Sequence, residues 1–237
     1  MKLQLMLKYT ISILCLMLVC TTTLAQTDSI PSDSLRYAQK YGLRLGGDVS
    51  KLVRTFIDED YSGFEINGDY RLTKNLYVAG EIGFEENTTS NEQLNSTANG
   101  SYFKGGVDYN MYKNWFGMEN MIYAGFRVGA ASFKQTLNSY TIYQTDQSWP
   151  PTTVNSGQEF NGLSAIWGEL IIGIKAEVLN NIYVGLNAQL KARITEKEPN
   201  NFENIYIPGF GRTYDSGRFG IGFGYNISYL IPLYKKE

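Results

Sequence analysis

"RLTKNLYV", Arg71–Val78, is echoed by "NMYKNWFG", Asn110–Gly117, and by "EVLNNIYV", Glu177–Val184. Each copy runs through an asparagine (Asn75, Asn114, Asn181) into an apolar residue and an aromatic. The asparagines lie 39 and 67 residues apart, too unevenly for a solenoid repeat. Asparagine tolerates the positive φ that hairpin turns demand, and the aromatic after it can open a strand. The phrase therefore predicts three tight turns, and the segments around them decide the fold.

Those segments alternate with a period of two. "GFEINGDYRL" sets Phe64, Ile66, Tyr70 and Leu72 on one face and Glu65, Asn67, Asp69 and Arg71 on the other. "LYVAGEIGF", "FKGGVDYNM", "IYAGFRVGA", "IWGELIIGIKAEV", "IYVGLNAQLKARI" and "RFGIGFGYNISYLI" repeat the pattern. "YGLRLGGDVSKLVR" follows it less regularly, because Lys51 breaks the alternation near its end. Eight strands are predicted, near 42–54, 62–72, 76–86, 101–111, 120–133, 164–178, 182–195 and 217–231. The repeated phrase joins strands two to three, four to five and six to seven. The long connections, including residues 134–163, fall at the opposite end. Transmembrane β-barrels sort their loops this way, with short periplasmic turns and long external loops. Tyr77, Trp115, Phe116 and Tyr183 are then expected in an aromatic girdle near the short-turn rim.

The N-terminus resembles an export signal. Lys2 and Lys8 flank the apolar run "YTISILCLMLVC", and Thr23 and Ala25 form a small-x-small site. Cleavage is expected after Ala25, leaving a polar periplasmic tail at 26–41 and a barrel at 42–237. An uncleaved anchor, or a lipoprotein through Cys20, fits less well, since the run is short for a spanning helix and Val19 precedes the cysteine. Cys15 and Cys20 leave with the signal, so the mature chain would contain no cysteine, and the whole chain has no histidine. Thiol chemistry, most metal sites and Ser-His-Asp arrangements lose their usual residues. No catalytic residue, metal ligand or cofactor site is predicted, and the protein is expected not to be an enzyme. Nineteen basic against 23 acidic groups give the mature chain a net charge of −4, with no sign of a nucleic-acid partner. Nothing in the sequence sets an oligomeric state.

Alternation alone does not say which face is outside. A secreted lipocalin-like carrier would turn the apolar face inward around a hydrophobic ligand. The export signal and strands long enough to cross a bilayer favour the inverted arrangement. So does the polar face, which holds Arg44, Arg54, Arg71, Lys104, Arg127, Lys175, Lys191, Arg193 and Arg218. Against them stand Asp48, Glu65, Asp69, Glu81, Glu85, Asp108, Glu169 and Glu177. These charges nearly cancel, and glycines such as Gly106, Gly129 and Gly173 lie among them. Eight strands enclose an interior just wide enough for side chains to fill. The expected fold is therefore all-β: an eight-stranded antiparallel up-and-down transmembrane β-barrel with a polar, side-chain-filled lumen, in the outer membrane of a Gram-negative bacterium.

In such a barrel, function moves to the loops. Tyr140, Tyr143 and Trp149 in the 134–163 loop are candidate contacts for a protein or glycan, beside outer-membrane lipid and lipopolysaccharide. The competing expectation is that this loop simply extends its flanking strands into a hairpin above the membrane. Asp58, Glu59 and Asp60 are either solvated or part of a divalent-cation site with lipopolysaccharide phosphates. An enzyme at the barrel rim is a further alternative, weakened by the missing histidine.

"YGLRLGGDVSKLVRTFIDEDYSGFEINGDYRLTKNLYVAGEIG", "YNMYKNWFGMENMIYAGFR" and "NIYIPGFGRTYDSGRFGIGFGYNISYLIPLYKK" resemble a domain-of-unknown-function family of Bacteroidota-type Gram-negative bacteria. The likeness covers nearly all of the mature chain and implies an outer-membrane β-barrel. It carries no catalytic residues to transfer. "DSI" and "DSL" in the tail resemble the Asp-Ser-apolar sites that such bacteria O-glycosylate, which implies sugars on Ser29 and Ser34.

Overall fold

A computed structural model describes residues 39–112, 119–142, 151–214 and 217–236. Its strands are β1 (Gln39–Asp48), β2 (Tyr61–Arg71), β3 (Leu76–Ser90), β4 (Leu94–Asn110), β5 (Met121–Ile142), β6 (Thr152–Leu179), β7 (Ile182–Glu196), β8 (Tyr206–Ile207), β9 (Gly211–Arg212) and β10 (Phe219–Lys236). One helix, α1 (Val49–Ile57), follows β1. Eight of the strands close an antiparallel barrel in the order β1-β10-β7-β6-β5-β4-β3-β2, while β8 and β9 form a separate hairpin.

The register fixes the barrel's shape. Followed from Leu43 through Tyr70, Val78, Val107, Phe126, Leu170 and Leu190, it reaches Ile221. Leu43 itself pairs with Ile231, ten residues farther along β10. A stagger of ten over eight strands tilts each strand by about 40° from the barrel axis.

The apolar face is the outer one. Phe64, Ile82, Phe103, Phe126, Leu170, Leu190 and Phe223 are all exposed, whereas Glu65, Lys104, Arg127 and Glu169 are buried. A lipocalin-like interior is the reverse of this arrangement. Glycines make the room that the interior needs. Gly129 pairs with Trp167, Gly173 with Tyr123 and Gly83 with Tyr102, each aromatic lying across the place a Cβ would take. Trp167 is completely buried there.

Four expectations need correction. The first strand ends at Asp48 rather than 54, because the chain turns into α1. Asp48 caps that helix by accepting from the Ser50 amide at 2.8 Å. Val49, Leu52, Val53 and Phe56 recur at helical spacing, a signal that the reading for period two passed over. The second correction concerns residues 86–100, which are not a long loop. Strands β3 and β4 run on and meet in a turn at 91–93, where the Asn91 side chain accepts from the amides of Gln93 and Leu94.

The third correction is that Tyr77 and Tyr183 are buried in the lumen, where both rings stack on the Arg44 guanidinium, instead of joining an outer girdle. Their parity with Ala79 and Gly185 already points them inward. Trp115 and Phe116 lie outside the described residues. Finally, Arg54 and Arg218 are not lumen groups. Arg54 sits on α1 beside Asp58 at 3.0 Å, and Arg218 is exposed just before β10.

The turns are also less uniform than the repeated phrase suggests. Asn181 adopts a φ of 64° between β6 and β7, as expected. Asn75 does not, because its turn is closed by the amides of Leu72 and Thr73 donating to the Leu76 carbonyl. Asn114 falls outside the described residues, in the 111–120 connection between β4 and β5. Strand β1 begins at Gln39, three residues before the expected start of the barrel.

Candidate functional site

The lumen is a fabric of ion pairs. Lys104, 1% exposed, reaches Glu81 at 2.5 Å and Glu65 at 3.2 Å. Asp69 is held between Arg44 at 2.8 Å and Lys175 at 2.7 Å, and Arg127 meets Asp108 at 2.9 Å. The void among these groups is about 20 Å³, roughly one water molecule. Above it, residues 204–212 fold down into the barrel. Ile207 and Phe210 join a buried cluster with Tyr102, Phe133, Leu163 and Trp167. Gln135 pins this segment by donating to the Glu203 carbonyl at 2.7 Å and accepting from the Ile205 amide at 3.0 Å. Gly209 takes a φ of 79° against the Tyr102 ring, a position closed to larger residues both by conformation and by space.

Glu85, on the wall, ties together α1 and the 204–212 segment. Its carboxylate accepts from Tyr61 at 3.0 Å, Tyr206 at 2.9 Å and the Gly209 amide at 2.8 Å, and it pairs with Lys51 of α1. Lys51, which looked like an interruption of the first strand, thus supplies a cation to the interior.

The wall itself is incomplete where α1 replaces a strand. Strand β1 pairs with β10 only as far as Asp48–Asn226, and with β2 only as far as Gly47–Ile66. The β10 residues 219–225 and the β2 residues 61–65 consequently have no strand between them. Thr55 of α1 stands in at one point. Its hydroxyl accepts from the Gly63 amide at 2.9 Å and lies 3.1 Å from the Gly63 carbonyl. On the β10 side the space is open. A cleft of about 690 Å³ lies there, bounded by Val49, Val53 and Ile57 of α1 and by Ile221, Phe223 and Tyr225 of β10. It deepens toward Lys51, Glu85, Lys191 and Tyr206. Sequence reasoning did not find this cleft, because it depends on where a strand stops.

The predicted contact residues lie elsewhere. Tyr140 is exposed on β5, opposite Val154 of β6 and Leu94 of β4, in a hairpin that prolongs both strands of the 134–163 segment. Tyr143 and Trp149, like Ser29 and Ser34, are outside the described residues. Asp58 is occupied by Arg54 and by the Asp60 amide. Among the described residues, no three carboxylates converge as metal ligands.

No curated protein matches the chain. Among solved structures, it is similar to Ail, the attachment invasion locus protein of Yersinia pestis, with 7% identity, 81% of this chain and 97% of that one covered, and a TM-score of 0.38. It is also similar to CarO2 of Acinetobacter baumannii, with 8% identity, 82% and 99% covered, and a TM-score of 0.35. A family model matches residues 6–236, and the chain belongs to that family, the domain of unknown function DUF6048.

Proposed function

We propose that the protein is an outer-membrane β-barrel of a Gram-negative bacterium that acts by contact at its projecting hairpin, without catalysis and without a diffusion pore. The carrying observation is the inversion of the barrel: apolar side chains cover its outside while paired ions fill its inside. In water that exterior would be an aggregation surface, whereas in a bilayer it is the solvated face. The β5–β6 hairpin supports the contact role. It continues from Phe133 and Leu163 into a polar extension, exposed mainly along β6 and at Tyr140 of β5. Its partner is a surface protein or glycan, and lipopolysaccharide and lipid surround the barrel.

Sodium carbonate washing of membranes, followed by gel electrophoresis with and without boiling, tests the location. Retention in the outer-membrane pellet and compact migration before boiling are expected, and release into the soluble fraction would overturn the reading. Photo-cross-linkers at Tyr140 and Trp149 test the contact role, which fails if neither captures a component of the cell surface.

A further inference from the structure

We infer that the gap between α1 and β10 is a lateral binding site for a single-chain amphiphile with a compact, uncharged, hydrogen-bonding head, taken sideways from the bilayer. The inference rests on the membrane reading above.

The position of the cleft carries the first part. Ile221 and Phe223 pair with Leu190 and Ala188 of β7 and belong to the apolar outer face. Ile221 is 85% exposed and Phe223 70%, and Val53 and Ile57 of α1 face the same opening. The mouth is therefore continuous with the surface that lipid chains cover. Along β10 the exposed apolar face runs on past it to Phe219 and back through Tyr225 and Ile227 to Tyr229 beside the Asn181 turn, so the mouth is within the belt and toward the end away from the tight turns. A hydrocarbon chain is the occupant that can reach such a mouth without leaving apolar surroundings.

The depth of the cleft carries the second part. Even-numbered β10 residues turn their backbone groups to β7, since the Arg193 amide donates to the Arg218 carbonyl and the Leu230 amide donates to the Asn181 carbonyl. The odd-numbered ones face β1, and the Ile231 carbonyl lies against Gly42 there. Beyond Asn226, β1 is gone, so the amides and carbonyls of Phe219, Ile221 and Phe223 face the cleft with no strand partner among the described residues. Polar backbone at membrane depth is tolerated where it lines a cavity that holds a polar group. An amphiphile's head supplies that group.

The head should be uncharged because the charges at depth are already matched. Lys51 pairs with Glu85, Arg54 with Asp58 and Lys104 with Glu65. Lys191 faces Glu169 at 3.7 Å and donates to the carbonyls of Gly209 at 2.7 Å and Phe210 at 3.2 Å. A further ion would be buried without a counter-charge. The head must also be compact, since Tyr206 and Phe210 occupy the lumen end.

The test uses the full-length protein in phosphatidylcholine nanodiscs. The probe is a long-chain monoacylglycerol with a mid-chain diazirine, and the labelled residues are mapped by mass spectrometry. Labelling is expected to concentrate on Val53, Ile57, Ile221 and Phe223. It should fall at least about tenfold in Val53→Trp, which fills the mouth, and hold in Ile172→Trp on the outer face of β6. Even labelling around the outer face, or equal loss in both variants, would overturn the site. Charged probes, a fatty acid and a quaternary alkylammonium carrying the same diazirine, should label more weakly, and equal labelling by either would overturn the head assignment. If Val53→Trp does not fold, Val53→Phe gives the same comparison. Migration of the unboiled protein is read on every sample. Failure to insert into nanodiscs marks failure of the membrane reading itself, whereas an inserted barrel with even labelling marks failure of the cleft alone.

Discussion

Lys104 shows how single residues hold this barrel together. One ammonium stands among Glu81, Glu65 and, at 3.9 Å, Glu169, so three carboxylates share its charge in a buried interior. Removing one partner of a buried pair costs more than the pair contributes, because the remaining charge stays desolvated. Lys104→Met should lower stability by about 3–5 kcal/mol. Denaturant unfolding followed by the mobility of the unboiled protein checks this. Gly129 makes the complementary point about space. A Cβ there would lie 2.3 Å from the Trp167 ring. Gly129→Val should cost about 1–3 kcal/mol through overpacking, read by the same assay. Both residues were legible by parity, since period two put Lys104 and Gly129 on the inner face. The identity of their partners was not, because it depends on register.

At the level of elements, α1 is where local preference overrides the strand pattern. Asp48 caps the helix, and its apolar residues face the cleft and the outside rather than the lumen. Lys51 alone turns inward to Glu85 and Glu65. Thr55 substitutes for a missing strand at Gly63, with one hydroxyl shared between the Gly63 groups and the Lys51 carbonyl. Thr55→Val should free the Gly63 amide. A neutral hydrogen bond contributes about 1 kcal/mol, so exchange at that amide should quicken roughly fivefold while the rest of β2 is unchanged. Amide hydrogen exchange with mass spectrometry measures it, and unchanged protection at Gly63 would mean that Thr55 does not support the edge. The 204–212 segment is the counterpart on the other side of Glu85. Its sequence, "NIYIPGFGR", reads as a mixed external loop, yet Gln135 and Glu85 draw it inside.

For the whole molecule, the closed interior predicts electrical silence. Among the described residues, ion pairs fill the middle of the lumen around a void of about 20 Å³, and the 204–212 segment packs its upper part. Planar bilayers containing the purified barrel should show no steps above those of protein-free membranes, in contrast to wide porins. Reproducible steps abolished by boiling the protein would contradict a sealed lumen.

What the sequence determined by itself was the alternation. Period two with near-balanced charges on one face specifies strands, their inside and a filled barrel, because a side chain's face is set by its parity along the strand. The strand count and most strand positions followed from that local rule. The tertiary structure decided what meets where the rule stops. The turn into α1 after Asp48 is local, set by the Asp48 cap and the helical spacing of Val49, Leu52, Val53 and Phe56. The partners of Lys51 and Thr55 there, Glu85 and the Gly63 backbone, come only with the closed barrel. Whether residues 204–212 hang outside or fill the lumen depends on Glu85 and Gln135, which are more than 60 residues away in the chain. The cleft beside β10 is the product of such a stop: its walls come from segments far apart in sequence, and only closure of the barrel brings them together.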